Sequence, residues 1–200
     1  RRQRQMCIKR QVIGSVSELK ALTKKSGNRY FAMRHAEAEM NHCNLSSTDP
    51  EKQKSNHLTE AGKKTAHAYA ERYKTEGFDL IVASPFTRAQ ETAHIIADVC
   101  NIPREAVITD DRLRELGAEA FDGRPVHEYR ESFDSVYERF TKGPEGSETL
   151  ASVRRRMGSM LYELEATHTN NRILIISHGD PLWMLQLLAV GGVEADIQNF

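Results

Sequence analysis

The chain has 200 residues, 39% of them apolar and 28% charged, with 28 lysines and arginines against 28 aspartates and glutamates. That length builds one ordinary core and excludes a miniprotein held by staples, while a formal charge of zero excludes a global field for nucleic acid or an anionic membrane. Mean hydropathy is −0.58 and no apolar run approaches the roughly 18 residues of a membrane span, so no bilayer crossing is expected.

In chain order, the first ten residues carry Arg1, Arg2, Arg4, Lys9 and Arg10 and no acid. Residues 1–27 are expected as a basic tail or linker, with an RNA-contacting arm as the sharper reading. Because the chain begins at Arg1 rather than methionine, it is expected to be part of a longer polypeptide. The folded domain is expected over 28–200. Tyr30-Phe31-Ala32-Met33, Leu80-Ile81-Val82-Ala83 and Ile173-Leu174-Ile175-Ile176 are short apolar runs, read as strands of a parallel sheet buried on both faces. After the first run, polar residues 41–57 predict a loop. Thr59 is a candidate N-cap for a helix with Ala61, Thr65, Tyr69 and Tyr73 on one stripe, stopping at Gly77. Ala89, Ala93, Ile96 and Cys100 mark a second helix, and a short one is expected around 126–140. Leu150, Val153, Met157, Leu161 and Leu164 mark a long helix leading to the last strand. Trp183, Met184, Leu187 and Leu188 are read as the core face of a helix beginning near Pro181. The alternation gives an α/β fold with a three-layer α/β/α arrangement and a mostly parallel central sheet. The three cysteines, Cys7, Cys43 and Cys100, suit a reducing compartment, and the cytoplasm is expected.

Each strand run ends in polar residues that do not belong in a core: Arg34-His35, Ser84-Pro85 with Arg88 close behind, and Ser177-His178-Gly179-Asp180. Ligands of open parallel sheets bind at this carboxyl edge, so the fold is expected to deliver two imidazoles and two guanidiniums to one place. Guanidinium forks match phosphate oxygens and a neutral imidazole can attack phosphorus, so the set suits phosphoryl transfer. Arginines supply the positive charge, and neither metal nor cofactor is expected. His42, Cys43 and His57 fit no zinc spacing and are read as loop residues. The stretches 41–57 and 119–146 are candidate substrate walls.

Six blocks in order, Arg34-His35-Ala36-Glu37 with Asn41, Leu58-Thr59-Glu60-Ala61-Gly62, Ser84 to Ala93, Leu113-Arg114-Glu115, Phe121-Asp122-Gly123 and Ser177-His178-Gly179, resemble the histidine phosphatase superfamily, with its phosphoglycerate-mutase-like fold. The Arg-His-Ala-Glu variant is most similar to small bacterial phosphohistidine phosphatases of the SixA type. The resemblance implies that His35 is a nucleophile forming a phosphohistidine and that Arg34, Arg88 and Asn41 bind the phosphoryl group. It implies that His178 completes the pocket and that Glu115 protonates the leaving oxygen. Glu119 stands where a glycine is usual, which leaves Glu119 and Asp122 as rival acids, and no binding role is assigned to Gly146-Ser147-Glu148-Thr149. The expected activity is a metal-independent phosphatase acting on a phosphomonoester, either a small molecule or a phosphorylated protein residue. The alternatives are a phosphoglycerate-type mutase and a domain inserted in a larger protein. Lys9 to Leu22 is similar to a segment of isoleucyl-tRNA synthetases, and nucleic acid enters only if the parent chain is such a synthetase. Oligomeric state has no signal here.

Overall fold

The computed structural model describes residue 21, residues 26–192 and residues 194–199. The expected basic tail and the synthetase-like stretch lie outside the described residues, apart from Ala21, Ser26 and Gly27 at their edge.

The apolar runs form β1 (Arg29–Arg34), β2 (Leu80–Ala83) and β4 (Arg172–Ser177), and a further strand, β3 (Val107–Thr109), completes a sheet of order β1-β4-β2-β3 with all pairs parallel. A three-residue strand with Ile108 exposed leaves too little pattern to be read in advance. β2 and the last five residues of β4 are buried on both faces as expected. β1 is not. It borders the sheet among the described residues, and Ala32 and Arg34 are exposed.

The crossovers are α2 (Glu60–Tyr73), α3 (Thr87–Cys100) and α5 (Leu150–Thr167), with α6 (Gly179–Val190) following β4. Ile81, Ala83, Leu174 and Ile176 pack toward α2 and α3, whereas Leu80, Val82, Ile173 and Ile175 pack toward α5 and α6. Alternate residues of the same strands thus serve opposite faces, which makes three layers. The five apolar residues expected on α5 are all buried, as are Met184, Leu187 and Leu188 of α6.

Three further expectations needed correction. The stripe of α2 that faces inward is Gly62, Ala66 and Ala70, one residue beyond the one expected, and Tyr69 and Tyr73 are exposed. Small residues let α2 approach its neighbours closely, which rings would prevent. The helix expected over 126–140 is two pieces, α4 (Val126–Glu131) and a 3-10 turn at Val136–Phe140. The loop at 41–57 contains the end of α1 (Glu39–His42) and a 3-10 turn at Pro50–Ser55, whose first turn the Asp49 carboxylate caps.

Gly62 shows how the fold holds the strand exit. Thr59 Oγ1 accepts from Gly62 N at 2.9 Å and donates to Glu37 Oε1 at 2.7 Å, while Thr59 N donates to Glu37 O. A Cβ on Gly62 would lie 2.1 Å from the Glu37 carbonyl oxygen, a backbone atom two residues past His35. Gly62→Ala is therefore expected to cost about 1–3 kcal/mol and to lower Tm by about 3–10 °C, with a fall in activity because the exit of β1 shifts. Unchanged thermal unfolding would show that this contact is dispensable.

Candidate active site

The parallel ladder continues past the strand ends. His35 N donates to Ser177 O and Ser84 N to Ile176 O, each at 3.0 Å, so the residues after β1, β2 and β4 share one edge. β1 and β4 are neighbours whose following helices lie on opposite faces, which opens the crevice where such sheets bind ligands.

Arg88, on the first turn of α3, is the hub. It is only 2% exposed. Its Nε donates to His35 Nε2 at 3.1 Å, Nη2 to His178 Nδ1 at 3.2 Å and to Ser47 O at 3.0 Å, and Nη1 to Ser47 Oγ at 3.3 Å and to Gln53 Oε1. Every one of these acceptors is neutral, and among the described residues no carboxylate lies within ion-pair distance of Arg88. Burial pulls its pKa down to about 10, with Glu115 and Asp122 opposing and Arg34 adding to the fall. A buried cation without a counter-ion is costly, and an incoming anion relieves that cost.

The tautomers follow from the partners. Ala36 O can only accept, so His35 Nδ1, 2.7 Å away, carries the proton and Nε2 presents a lone pair. Burial, then Arg88, lowers the His35 pKa to about 3, against the pull of the Ala36 carbonyl. His178 Nδ1 accepts from Arg88, so Nε2 donates to Ser84 Oγ at 2.7 Å. Burial first, then Arg88 and His35, hold the His178 pKa well below its ordinary value. The two rings stand 4.9 Å apart. Both imidazoles are therefore neutral near pH 7.

A cavity of about 180 Å³ opens over this cluster, lined among others by Arg34, His35, Asn41, Arg88, Glu115 and Asp180. Arg34 is exposed there, and Asn41 has its side-chain oxygen buried without a partner. His178 is fully buried and lies a layer deeper, behind Arg88, rather than on the cavity wall. Glu115 is held between Leu113 and Leu116, both in the core, and Arg156 Nη2 donates to its carbonyl at 3.2 Å. Its Oε1 accepts from Leu116 N at 2.9 Å and its Oε2 from Gly179 N at 3.1 Å. Its pKa is raised, first by burial and then by Asp180, while Leu116 N–H, Arg88 and Arg34 pull the other way. The rival acids lie elsewhere. Glu119 is exposed off the cavity, and Asp122 Oδ1 accepts from Thr48 N at 2.7 Å and Asp49 N at 3.0 Å.

Sequence reasoning named Asp180 only as part of the polar end of the last strand run, and covered Ser47, Gln53, Tyr129, Arg130 and Arg139 only as members of the wall stretches, with no individual role. A larger apolar groove of about 520 Å³ runs along β1 beside Tyr69, Tyr73 and Phe78. It lacks the convergent donors of the smaller one, so volume alone does not mark the site. His57 Nδ1 contacts Glu91 Oε1 at 2.7 Å, and Glu148 and Thr149 support Gly117 and the start of α5; these are structural roles.

A cationic cradle around a neutral imidazole lone pair, with a carboxyl opposite at the carboxyl edge of a parallel sheet, defines the chain as a phosphoryl-transfer α/β protein. Residues 30–200 match the histidine phosphatase superfamily (branch 1), and the chain belongs to that family. Curated relatives include the "Probable phosphoglycerate mutase" of Yersinia enterocolitica, 31% identical over 80% of this chain and 74% of that one. Phosphoserine phosphatase 1 of Hydrogenobacter thermophilus is 31% identical over 86% of this chain and 79% of its own. Among solved structures, a mycobacterial glucosyl-3-phosphoglycerate phosphatase with VO3 superposes with TM-score 0.70 over 84% of this chain and 83% of its own, at 22% identity. The phosphoserine phosphatase of Entamoeba histolytica, in complex with 3-phosphoglyceric acid, gives 0.68 over 86% and 85%, at 23% identity. These superpositions establish the phosphoglycerate-mutase-like fold, and the chain is a phosphoric monoester hydrolase of its superfamily. Among the described residues, no helix is long and apolar enough to cross a membrane.

Proposed function

We propose that His35 Nε2 attacks the phosphorus of a small phosphomonoester and that the resulting phosphohistidine is hydrolysed by water. The observation that carries this reading is the buried Arg88 guanidinium, whose donors rest on neutral acceptors, one of them the His35 lone pair. An arriving phosphoryl dianion takes the Arg88 Nε–H, which bares His35 Nε2 for in-line attack. Arg34, Arg88 and Asn41 bind the phosphoryl oxygens and spread the developing charge. The Ala36 carbonyl holds the imidazole through Nδ1–H as the ring becomes cationic. Glu115, with its pKa raised, gives its proton to the leaving oxygen as the P–O bond breaks. The carboxylate so formed then takes a proton from the water that attacks the phosphohistidine, releasing inorganic phosphate and restoring both groups. His178 acts through Arg88, orienting one of its forks.

A cavity of about 180 Å³ suits a phosphoryl group on a few-carbon body, or a phosphorylated side chain presented at its mouth. Arg130 lines the same cavity with no acidic partner among the described residues, which favours a leaving group that carries a further anion such as a carboxylate. The named substrates of the curated relatives have that character. The free thiols Cys43 and Cys100 support a reducing, cytoplasmic setting.

The test is a screen of phosphorylated metabolites and phosphopeptides, followed by phosphorus NMR. Inorganic phosphate is expected as the product, fastest from carboxylated phosphomonoesters, with a rate unchanged within about twofold after treatment with a chelator. Interconversion of phosphoglycerate isomers without phosphate release would replace the phosphatase reading with the mutase. A loss restored by zinc or magnesium would overturn the metal-free mechanism.

A further inference from the structure

The wall opposite His35 holds an ion pair that the reaction above does not use. Glu115 reaches beneath the first turn of α6, and its Oε1 also accepts from Asp180 N at 3.3 Å. The carboxylate of Asp180 turns to Arg139 Nη2 at 2.7 Å. Arg139 comes from the 3-10 turn at Val136–Phe140 and lies over the rings of Tyr129 and Trp183, at 5.4 and 5.8 Å from their centroids. Glu115, Asp180, Arg139 and Tyr129 all border the cavity. The Asp180 and Arg139 side chains are only 23% and 12% exposed, so water screens their charges poorly.

We infer that Asp180 and Arg139 are positioning residues for catalysis: the Asp180 carboxylate keeps the proton on Glu115, and Arg139 limits that effect by neutralising Asp180. The inference rests on Glu115 being the proton donor. The remaining charged and titratable groups around Glu115 are Arg34 at the end of β1, Arg88 from α3 and Arg156 from α5 at its carbonyl, with Tyr129 and Arg130 from α4 and the neutral His35 bordering the same cavity. None of these sets a negative charge against Arg34 and Arg88, which leaves Asp180 as the acidic neighbour able to hold Glu115 protonated against them. The direction found for Glu115, upward from burial and then Asp180, agrees with this geometry.

The two halves of the pair must act in opposite directions. Asp180→Asn removes a negative charge and releases Arg139, so Glu115 loses its proton more easily and the basic limb of kcat against pH moves down, by about one unit. Arg139→Gln leaves Asp180 uncompensated and moves the limb up by about half a unit or more. The double variant lies between the two, and Arg139→Lys stays near the wild type because the charge is kept. A carboxyl titration of Glu115 by carbon-13 NMR, in the same variants, reads the proton affinity without activity. Shifts of equal sign in both single variants, or no shift in either readout, would overturn the tuning role and leave a structural ion pair. Movement of the NMR titration while Glu115→Gln keeps a wild-type pH profile would uphold the tuning and remove Glu115 as the donor. Should Asp180→Asn fail to fold, Arg139→Gln and Arg139→Lys still decide the sign.

Discussion

His35→Ala is expected to lower kcat/KM toward an aryl phosphate by about four orders of magnitude or more, because the side chain proposed to form the covalent intermediate is gone. Attack by water on the bound phosphoryl group would be the remaining route, aided by the arginine cradle alone. Two controls separate chemistry from folding. His35 Nε2 accepts the Arg88 Nε–H at 3.1 Å, and alanine leaves that buried donor without a partner, a loss of about 1–3 kcal/mol. His35→Gln offers an oxygen in the same region and should recover stability while remaining inactive. Rapid quench with a radiolabelled substrate should trap an acid-labile, alkali-stable phosphoprotein in the wild type and in neither variant. Residual activity above about one per cent in both variants would remove His35 as the nucleophile. Loss of activity together with persistent labelling would place the phosphoryl acceptor on another residue.

The parts of this site visible in the sequence are those encoded at the ends of apolar runs. Arg34-His35, Ser84 and Ser177-His178 stand at or just past the ends of β1, β2 and β4, and a parallel register leaves those ends nowhere to go but one edge. Glu115 was accessible through its motif, although only the structure separates it from Glu119 and Asp122. The supports of Arg88 were not legible. Ser47 and Gln53 sit in a polar stretch without periodicity, and their placement depends on distant partners: Asp122 holds the amides of Thr48 and Asp49, and Leu45 bridges to Pro125. The Arg139–Asp180 pair spans 41 positions and has no local signature. The depth of His178 is a matter of side-chain layering, which a strand end does not specify. The misplaced stripe on α2 has a similar origin. Tyr69 and Tyr73 dominate an apolarity count, yet close helix packing selects Gly62, Ala66 and Ala70.

Arg88→Ala is expected to lower kcat/KM by about a thousandfold and to abolish stabilisation by phosphate. The guanidinium is the buried link between the two imidazoles, and its removal strips donors from His35 Nε2, His178 Nδ1, Ser47 and Gln53 together. In the wild type, inorganic phosphate at about a hundred times its Kd should add about 2.7 kcal/mol of stability, seen as a rise in Tm. That rise should vanish in Arg88→Ala. Arg88→Lys keeps a charge but has no planar fork to span both rings, so it should restore part of the phosphate effect and little of kcat. The pH profile gives an independent reading. Arg88 is the second cause, after burial, of the fall of the His35 pKa to about 3. Without it that pKa rises, more of the imidazole is protonated at a given acidic pH, and the acid limb of kcat/KM moves upward. If Arg88→Ala keeps the phosphate-dependent rise in Tm, the anion is held elsewhere. An unmoved acid limb would mean that burial alone keeps the nucleophile neutral.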